Sequence, residues 1–349
     1  MATIKDIASL ADVSPATVSR FLNGQITVRE ETRRRIENAV QQLNYKPNYL
    51  ARSLVLKETK TIGVVIPDIL NPYFPGLTRG VEDEAQRAGW SVVLCNSDNK
   101  VDKELAYLEM LRYKQVDGII LVSSGQPPEQ LQGLLDQKVN LVLAGRRIDG
   151  VETDTVAIAN TKGAYEATRH LIGLGHRRIA FIGGSPFLRT SRERLEGHSQ
   201  ALSEADIPME EAIVTYGSFQ YQGGFSAMAQ LLQRSPRPTA VFAANDLMAI
   251  GAINAVQAEG GSVPEDVAVV GFDGIPLGEL IRPRLTTMSV SPYKIGKTAC
   301  RLLLDRVARK RNPSPRLVIA DARLEIRESC CAPQTKDTEA AGSQYHNGR

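Results

Sequence analysis

The sequence predicts two parts of different class. An all-α helix-turn-helix domain stands at the N-terminus. A two-lobed α/β domain with doubly wound parallel sheets follows. Three observations predict this. Apolar residues recur at helical spacing through residues 4–43. From Thr61 onward, short continuous apolar runs alternate with helix-length stretches. Positive charge is concentrated in the first part. Residues 1–60 hold ten Lys/Arg and six Asp/Glu, or +4; the whole chain is 42 against 39, or +3, so residues 61–349 carry −1 by difference.

The first helix is read from Ile4, Ile7, Ala8 and Ala11, which fall on one face. Thr3 is its N-cap, with Asp6 at capping-box spacing. Asp12-Val13-Ser14 interrupts the pattern. Ser14 caps a second helix, and Pro15 suits its first turn, where a missing N–H costs nothing. Val18, Phe21 and Leu22 face inward there, leaving Pro15, Ala16, Ser19, Arg20 and Asn23 outside. A short helix, a tight turn and a second helix with a polar outer face is the helix-turn-helix layout. A third helix, with Ile36, Ala39, Val40 and Leu43 inward, completes a small core. The Arg33-Arg34-Arg35 run reads as its solvated face. The excess of positive charge in this unit suits phosphate contact. Pro47 ends the third helix. Asn48 caps one further short helix over residues 48–56, too weak to persist alone in water.

The second part begins with the runs Ile62–Ile66, Ser91–Leu94, Gly118–Val122 and Asn140–Leu143. It continues with Arg178–Ile182, Ala240–Ala243 and Val267–Val270. None alternates, as strands covered on both faces require. Helical stretches between them include Pro75–Gly89, Asp102–Lys114, Thr161–Gly173, Arg192–Ala205 and Leu247–Gly260. About ten strands are too many for one sheet, so two lobes with a cleft are expected. Ligands bind beyond the carboxyl ends of such strands. There Tyr73, Phe74 and Phe219 supply flat faces, and Arg194, Asn245 and Asp273 supply hydrogen bonds, a mix that suits a small polar ligand.

Composition narrows the class. The chain of 349 residues is 42% apolar and 23% charged, ordinary for a folded protein of two or three domains. No secretory h-region follows Met1 and no apolar run reaches membrane-spanning length, so a cytoplasmic protein without membrane association is expected. Four cysteines form no CxxC pair. Cys95 and Cys300 read as core, and adjacent Cys330-Cys331 as a reduced feature of the tail. His170, His176, His198 and His346 lack metal-ligand spacing, and neither metal nor cofactor is expected. Nucleophile elbow, P-loop and dinucleotide fingerprint are all missing, so an enzyme is not expected. Gly183-Gly184 resembles a phosphate-cradling turn, but no Lys-Ser/Thr follows, and the pair is read as structural. The polar, aperiodic residues 331–349 are expected to be disordered, with no leucine heptads.

Over residues 1–330 the chain resembles the LacI/GalR family of bacterial transcriptional repressors. The resemblance rests on Thr3-Ile-Lys-Asp-Ile-Ala, Val13-Ser-Pro-Ala-Thr-Val-Ser-Arg, Lys46-Pro-Asn and Ala51-Arg-Ser-Leu54. It continues through Asn71-Pro-Tyr-Phe, Val116-Asp-Gly-Ile-Ile, the His170–Phe181 segment, the Val263–Asp273 segment and Leu285-Thr-Thr. Each motif is weak alone; together, in this order, they are specific.

The resemblance implies a homodimer on a pseudo-palindromic double-stranded operator, with the second helix of each copy in the major groove. Positions matching Pro15, Ala16 and Arg20 choose the sequence, and those matching Thr17, Ser19 and Asn23 hold phosphates. Arg20 carries the one strong base-reading group. A hinge over residues 48–60 places Asn48, Ala51 and Leu54 at DNA, Leu54 as a minor-groove wedge. Asp12 stands where the family often has Gly or Asn. The sensor, residues 61–330, resembles periplasmic sugar-binding proteins. One lobe is expected over about 61–159 and 290–318, the other over about 160–289 and 319–330, with chain crossings near 160, 290 and 320. The resemblance points to Tyr73, Phe74, Thr190, Arg194, Phe219, Asn245 and Asp273 as effector contacts.

The expected function is a ligand-responsive repressor of sugar or related carbon-source genes. Its effector is a sugar or sugar derivative, with a purine left open. Two alternatives stand beside it: a global catabolite-type regulator with a protein co-effector, and a sugar-binding protein without DNA function.

Overall fold

A computed structural model describes residues 2–22, 24, 26–45, 58–125, 127–308 and 314–330. The chain divides into two units, Met1–Thr59 and Lys60–Arg349. The expected hinge helix over 48–56 and the tail beyond Cys330 lie outside the described residues.

In the first unit, α1 (Ile4–Ala11), α2 (Pro15–Leu22) and α3 (Glu30–Gln42) enclose Ile7, Ala8, Ala11, Val18, Ile36 and Ala39. The Thr3 capping box forms: the Asp6 amide donates to the Thr3 hydroxyl, and the Thr3 amide donates to the Asp6 carboxylate. Ser14 Oγ accepts from the Thr17 amide at 3.0 Å and so caps α2. Between the helices Asp12 turns left-handed, φ 49°, a conformation Asp tolerates better than most residues. The arginine run is exposed and paired on the surface, Arg33 and Arg34 with Glu30 and Arg35 with Asp12.

The second unit holds two six-stranded sheets. The first runs β11-β5-β4-β3-β1-β2, from β1 (Thr61–Ile66), β2 (Ser91–Asn96), β3 (Gly118–Leu121), β4 (Leu141–Ala144), β5 (Asp154–Ile158) and β11 (Leu317–Ala320), all pairs parallel. The second runs β12-β10-β9-β8-β6-β7, from β6 (Ile179–Gly183), β7 (Val214–Tyr216), β8 (Ala240–Ala243), β9 (Ala268–Asp273), β10 (Thr286–Ser289) and β12 (Arg323–Glu325). Only the β10–β12 pair, among the described residues, is antiparallel.

Helices cover both sheets. The first lobe takes α4 (Tyr73–Arg87), α5 (Val101–Tyr113), α6 (Pro128–Asp136) and α12 (Pro292–Ala308); the second takes α7 (Asn160–Gly173), α8 (Arg189–Glu204), α9 (Tyr221–Leu232), α10 (Asp246–Ala258) and the short α11 (Leu277–Leu280). The chain passes between lobes after Ile158, after Ser289 and after Ala320. The returning α12 is tied to the first lobe by glycines. A Cβ on Gly80 would fall 2.1 Å from the Tyr293 carbonyl oxygen, and one on Gly296 would fall 1.9 Å from that of Leu77. The two backbones therefore approach closer than any side chain permits.

Several expectations change. The expected lobe boundary at 318 falls inside β11, which ends at Ala320. Strand β2 is not covered on both faces: it is the sheet edge, and Val93 and Leu94 are exposed. Cys330 is no tail residue; it is fully buried, with Sγ 3.2 Å from His170 Nε2. Cys95 and Cys300 are buried free thiols. The pattern singles out no run for strands β5, β10, β11 and β12 and no stretch for helices α6, α9, α11 and α12, and it marks β7 only through Phe219 beyond its carboxyl end. Many of these are short, or mix polar residues into their runs: β10 is Thr-Thr-Met-Ser and β12 is Arg-Leu-Glu.

Candidate functional site

In the first unit, Pro15, Ala16 and Arg20 lie exposed on α2, while Thr17 and Ser19 are half-buried. The Thr17 hydroxyl is 2.8 Å from that of Ser14, so it is engaged in the cap. Val18 is fully buried and anchors α2 to α1 and α3, which leaves the opposite face turned outward. Asn23, Asn48, Ala51 and Leu54 lie outside the described residues.

In the second unit one cleft collects all seven expected effector residues. It holds about 500 Å³ of empty space, open solvent included. Tyr73 and Phe74 come from the start of α4 in the first lobe. Their rings meet edge to face at 5.3 Å. Asn71 sets this entry, since its side-chain oxygen accepts from the Tyr73 amide at 3.0 Å. The Tyr73 hydroxyl is buried in the cleft without a hydrogen-bond partner among the described residues. Burial raises its pKa further and keeps it neutral.

The second lobe supplies the other wall. Thr190 and Arg194 sit on the first turns of α8. Arg194 Nε donates to Asn160 Oδ1 at 3.0 Å, its Nη1 donates to the Ala244 carbonyl, and its guanidinium lies 3.4 Å from Asp273 Oδ1. That pair is internal to the second lobe; it does not join the two lobes. The Arg194 guanidinium also stacks 3.6 Å above the Phe272 ring. Asp273 ends β9 with φ 118°. Burial pushes its carboxyl up to about 6, against the pull of Arg194. Asn245 caps α10, accepting from the Met248 amide at 2.9 Å and donating to the Phe219 carbonyl at 3.0 Å. Its amide thus positions Phe219.

Six further residues line the cleft: Asp68, Asn71, Asn99, Val122, Arg146 and Ile158. Asp68, Asn71 and Arg146 follow strand ends that the sequence marks, but they lacked a signal separating them from their neighbours. Arg146 is the consequential one. Its Nη1 donates to the Ser123 carbonyl, and its guanidinium stands 5.9 Å from the Phe219 ring in the opposite lobe. Burial lowers its pKa to about 10, so it stays charged at neutral pH. Glu104, buried in α5, accepts from the Ser124 amide and the Ser123 hydroxyl and holds that loop beneath Arg146. Burial raises the Glu104 carboxyl, and these hydrogen bonds oppose that.

The cleft therefore has aromatic walls, two guanidinia and two carboxylates. Among the described residues no three His, Cys, Asp or Glu side chains gather to hold a metal, and no helix is long and apolar enough to cross a membrane. A helix-turn-helix unit and a two-lobed binding unit in one chain define the class: a DNA-binding transcription regulator with a small-molecule-binding domain. Residues 3–48 match the model of bacterial regulatory proteins of the lacI family, and residues 168–330 match that of a periplasmic binding protein-like domain. The chain is 39% identical over 336 residues to the HTH-type transcriptional repressor PurR of Photorhabdus laumondii, covering 95% of this chain and 98% of that one. Among solved structures it is similar to the transcriptional regulator CelR in complex with cellobiose (34% identity, TM-score 0.72, 94% of this chain and 100% of that one). It is also similar to the lac repressor dimer bound to operator and the anti-inducer ONPF (27% identity, TM-score 0.82, 94% and 98%). The chain belongs to the LacI family.

Proposed function

We propose that this chain is a cytoplasmic, homodimeric repressor that binds a pseudo-palindromic operator and releases or engages it in response to a sugar. One observation carries the reading. A single cleft gathers Tyr73 and Phe74 from one lobe and Thr190, Arg194, Phe219, Asn245 and Asp273 from the other. A ligand touching both walls favours the closed arrangement of the lobes by its differential affinity, which is the lever a two-state switch needs. Flat rings for sugar faces, with a carboxylate and a guanidinium for hydroxyls, suit a polyol. The relative crystallised with cellobiose supports a sugar, and a purine stays the competitor.

On the DNA side, Pro15, Ala16 and Arg20 on exposed α2 are the proposed base-facing residues, with Thr17, Ser19 and Asn23 on phosphates. Asn48, Ala51 and Leu54 form the proposed hinge contacts. The test is fluorescence anisotropy of the full chain on DNA from upstream of its own gene, with pentoses, hexoses, disaccharides and nucleobases added in turn. Operator affinity is expected to change at least about tenfold with a sugar, the low end of ordinary allosteric coupling. A response to hypoxanthine or guanine and to none of the sugars overturns the sugar reading. Failure to bind the DNA in every condition overturns the regulator reading.

A further inference from the structure

The two lobes touch at the rim of the cleft, and one carboxylate makes the join. Asp149 belongs to the first lobe, on the loop beyond β4; Arg189 and Arg192 belong to the second, at the start of α8. Arg189 Nη1 donates to Asp149 Oδ1, and Arg192 Nη2 stands 4.0 Å from Asp149 Oδ2. An apolar contact lies beside this pair. Gly125 of the first lobe faces Leu188 of the second so closely that a Cβ on it would fall 3.3 Å from Leu188 Cδ2. Asp149, Arg189, Gly125 and Leu188 all line the same opening.

Arg189 is not a loose surface chain. Its Nε donates to Glu193 Oε1 at 2.6 Å, one turn along α8. Glu193 Oε2 accepts in turn from the Asn160 side-chain amide at 2.8 Å, and Asn160 Oδ1 accepts from Arg194 Nε at 3.0 Å. Asn160 opens α7, directly after the first crossing of the chain between lobes. A continuous line of hydrogen bonds thus runs from Asp149 in one lobe, through Arg189, Glu193 and Asn160, to Arg194 in the cleft. The Arg189 side chain is 30% exposed and that of Glu193 22%, so the group that orients Arg189 is itself held. Such fixing lowers the side-chain entropy cost that makes most surface ion pairs weak.

We propose that Asp149 and Arg189 form a latch that biases the lobes towards closure before any effector binds. It goes beyond the sensor reading above and applies to any effector that needs the closed lobes. Such an effector binds more tightly in proportion to the closed fraction, so the latch sets the concentration at which the sensor responds. An ion pair open to solvent is screened by salt, so that set point moves with ionic strength.

The test needs no effector. Val122, just beyond β3, is 1% exposed and lines the cleft from the first lobe. A Val122→Cys thiol reacts with N-ethylmaleimide, a small neutral reagent, when the lobes part. The full-length chain carries this substitution together with Cys331→Ser, and buried Cys300 in α12 is the internal control for unfolding. Rates are read by peptide mass spectrometry at about 0.05 M and about 1 M NaCl, where screening is weak and strong. Asp149→Asn is expected to speed the reaction of the introduced thiol about two- to fivefold at low salt, the size of a partly exposed ion pair, and to leave Cys300 unchanged. High salt is expected to bring the parent chain up to the variant and to leave the variant where it is. Arg189→Gln, alone or with Asp149→Asn, is expected to match Asp149→Asn, because the two residues act through one contact. An unchanged rate in Asp149→Asn overturns the proposal. So do an equal acceleration at Cys300, which marks general loosening, a salt response that survives in the variant, and single-substitution effects that add in the double variant. Each of these results leaves the sensor reading as it stands.

Discussion

The Phe219 ring rests directly on Gly184: a Cβ at position 184 would fall 2.0 Å from the ring. Gly184 follows β6 and Phe219 follows β7, so two adjacent strands deliver the seat and the ring side by side. Phe219 holds a left-handed φ of 61°, and Asn245 fixes its carbonyl. Gly184→Ala leaves the ring no room and turns it away from the cleft. Effector affinity is expected to fall about tenfold or more, in line with ordinary overpacking costs of about 1–3 kcal/mol. Calorimetry measures this directly, and an unchanged Kd would mean that Phe219 is not a wall of the site.

A second prediction concerns pH. The Asp273 carboxyl sits near 6, raised from the ordinary 3.8 chiefly by burial and opposed by Arg194 and Arg146. Neighbouring Asp246 is raised to about 8 by burial and by Asp273, so it carries a proton at neutral pH. Between pH 4 and 6 the folded chain holds a proton on Asp273 that the unfolded chain has released. This group's contribution to stability is therefore full below about pH 4 and lost as pH rises through 6. Ligand binding runs the other way. Hydroxyls donate to the ionised carboxylate, so effector affinity is expected to weaken as pH falls from 7 to 5. Asp273→Asn should flatten that profile. It should also cost about 3 kcal/mol of stability by leaving Arg194 buried without its counter-charge. A profile in the variant that still falls with pH would assign the titration to another group.

What the sequence disclosed and what it hid follow from how each signal arises. The Thr3 capping box, the Ser14 cap and the Val18 face are local, set by residues three or four apart, and they were legible. So were Tyr73, Phe219 and Asp273, because strand ends announce themselves. Arg146 was not, since its place opposite Phe219 depends on how two lobes meet across the chain. Gly184 was visible and read as structural; that Phe219 is what it accommodates became apparent only once β6 and β7 were paired. Strand β2 misled because edge and central strands share composition, and only the sheet order distinguishes them.

The core of the first unit is small enough that one residue matters. Ile36 is fully buried with Ile7 and Val18, and among the described residues six buried side chains form this centre. Ile36→Ala is expected to cost about 2–5 kcal/mol, a large part of what so small a domain has. Differential scanning calorimetry should show an early transition for this unit and an unshifted one for Lys60–Arg349. Operator binding should be lost although the substitution is in α3, away from the proposed base-facing residues on α2. Retained operator affinity at 37 °C would show that the core tolerates the cavity.

Arg20 poses the sharpest question about the DNA-facing helix. It lies exposed in the last turn of α2, beyond the buried Val18. Two uses of such a side chain predict different data. A guanidinium bidentate to guanine carries sequence information and leaves the count of neutralised phosphates nearly unchanged. A guanidinium on phosphate carries charge and no information. Under the first, Arg20→Ala costs about 1–3 kcal/mol on the cognate operator and little on scrambled DNA, with the salt dependence almost intact. Arg20→Lys keeps the charge and loses the fork, so it should fail in nearly the same way. Under the second, Arg20→Ala weakens both DNAs alike and flattens the salt slope by about one, while Arg20→Lys is nearly silent. Anisotropy at four salt concentrations, on cognate and scrambled duplexes, separates them. The expected result is the first pattern, because exposed α2 offers no other side chain with a rigid pair of donors.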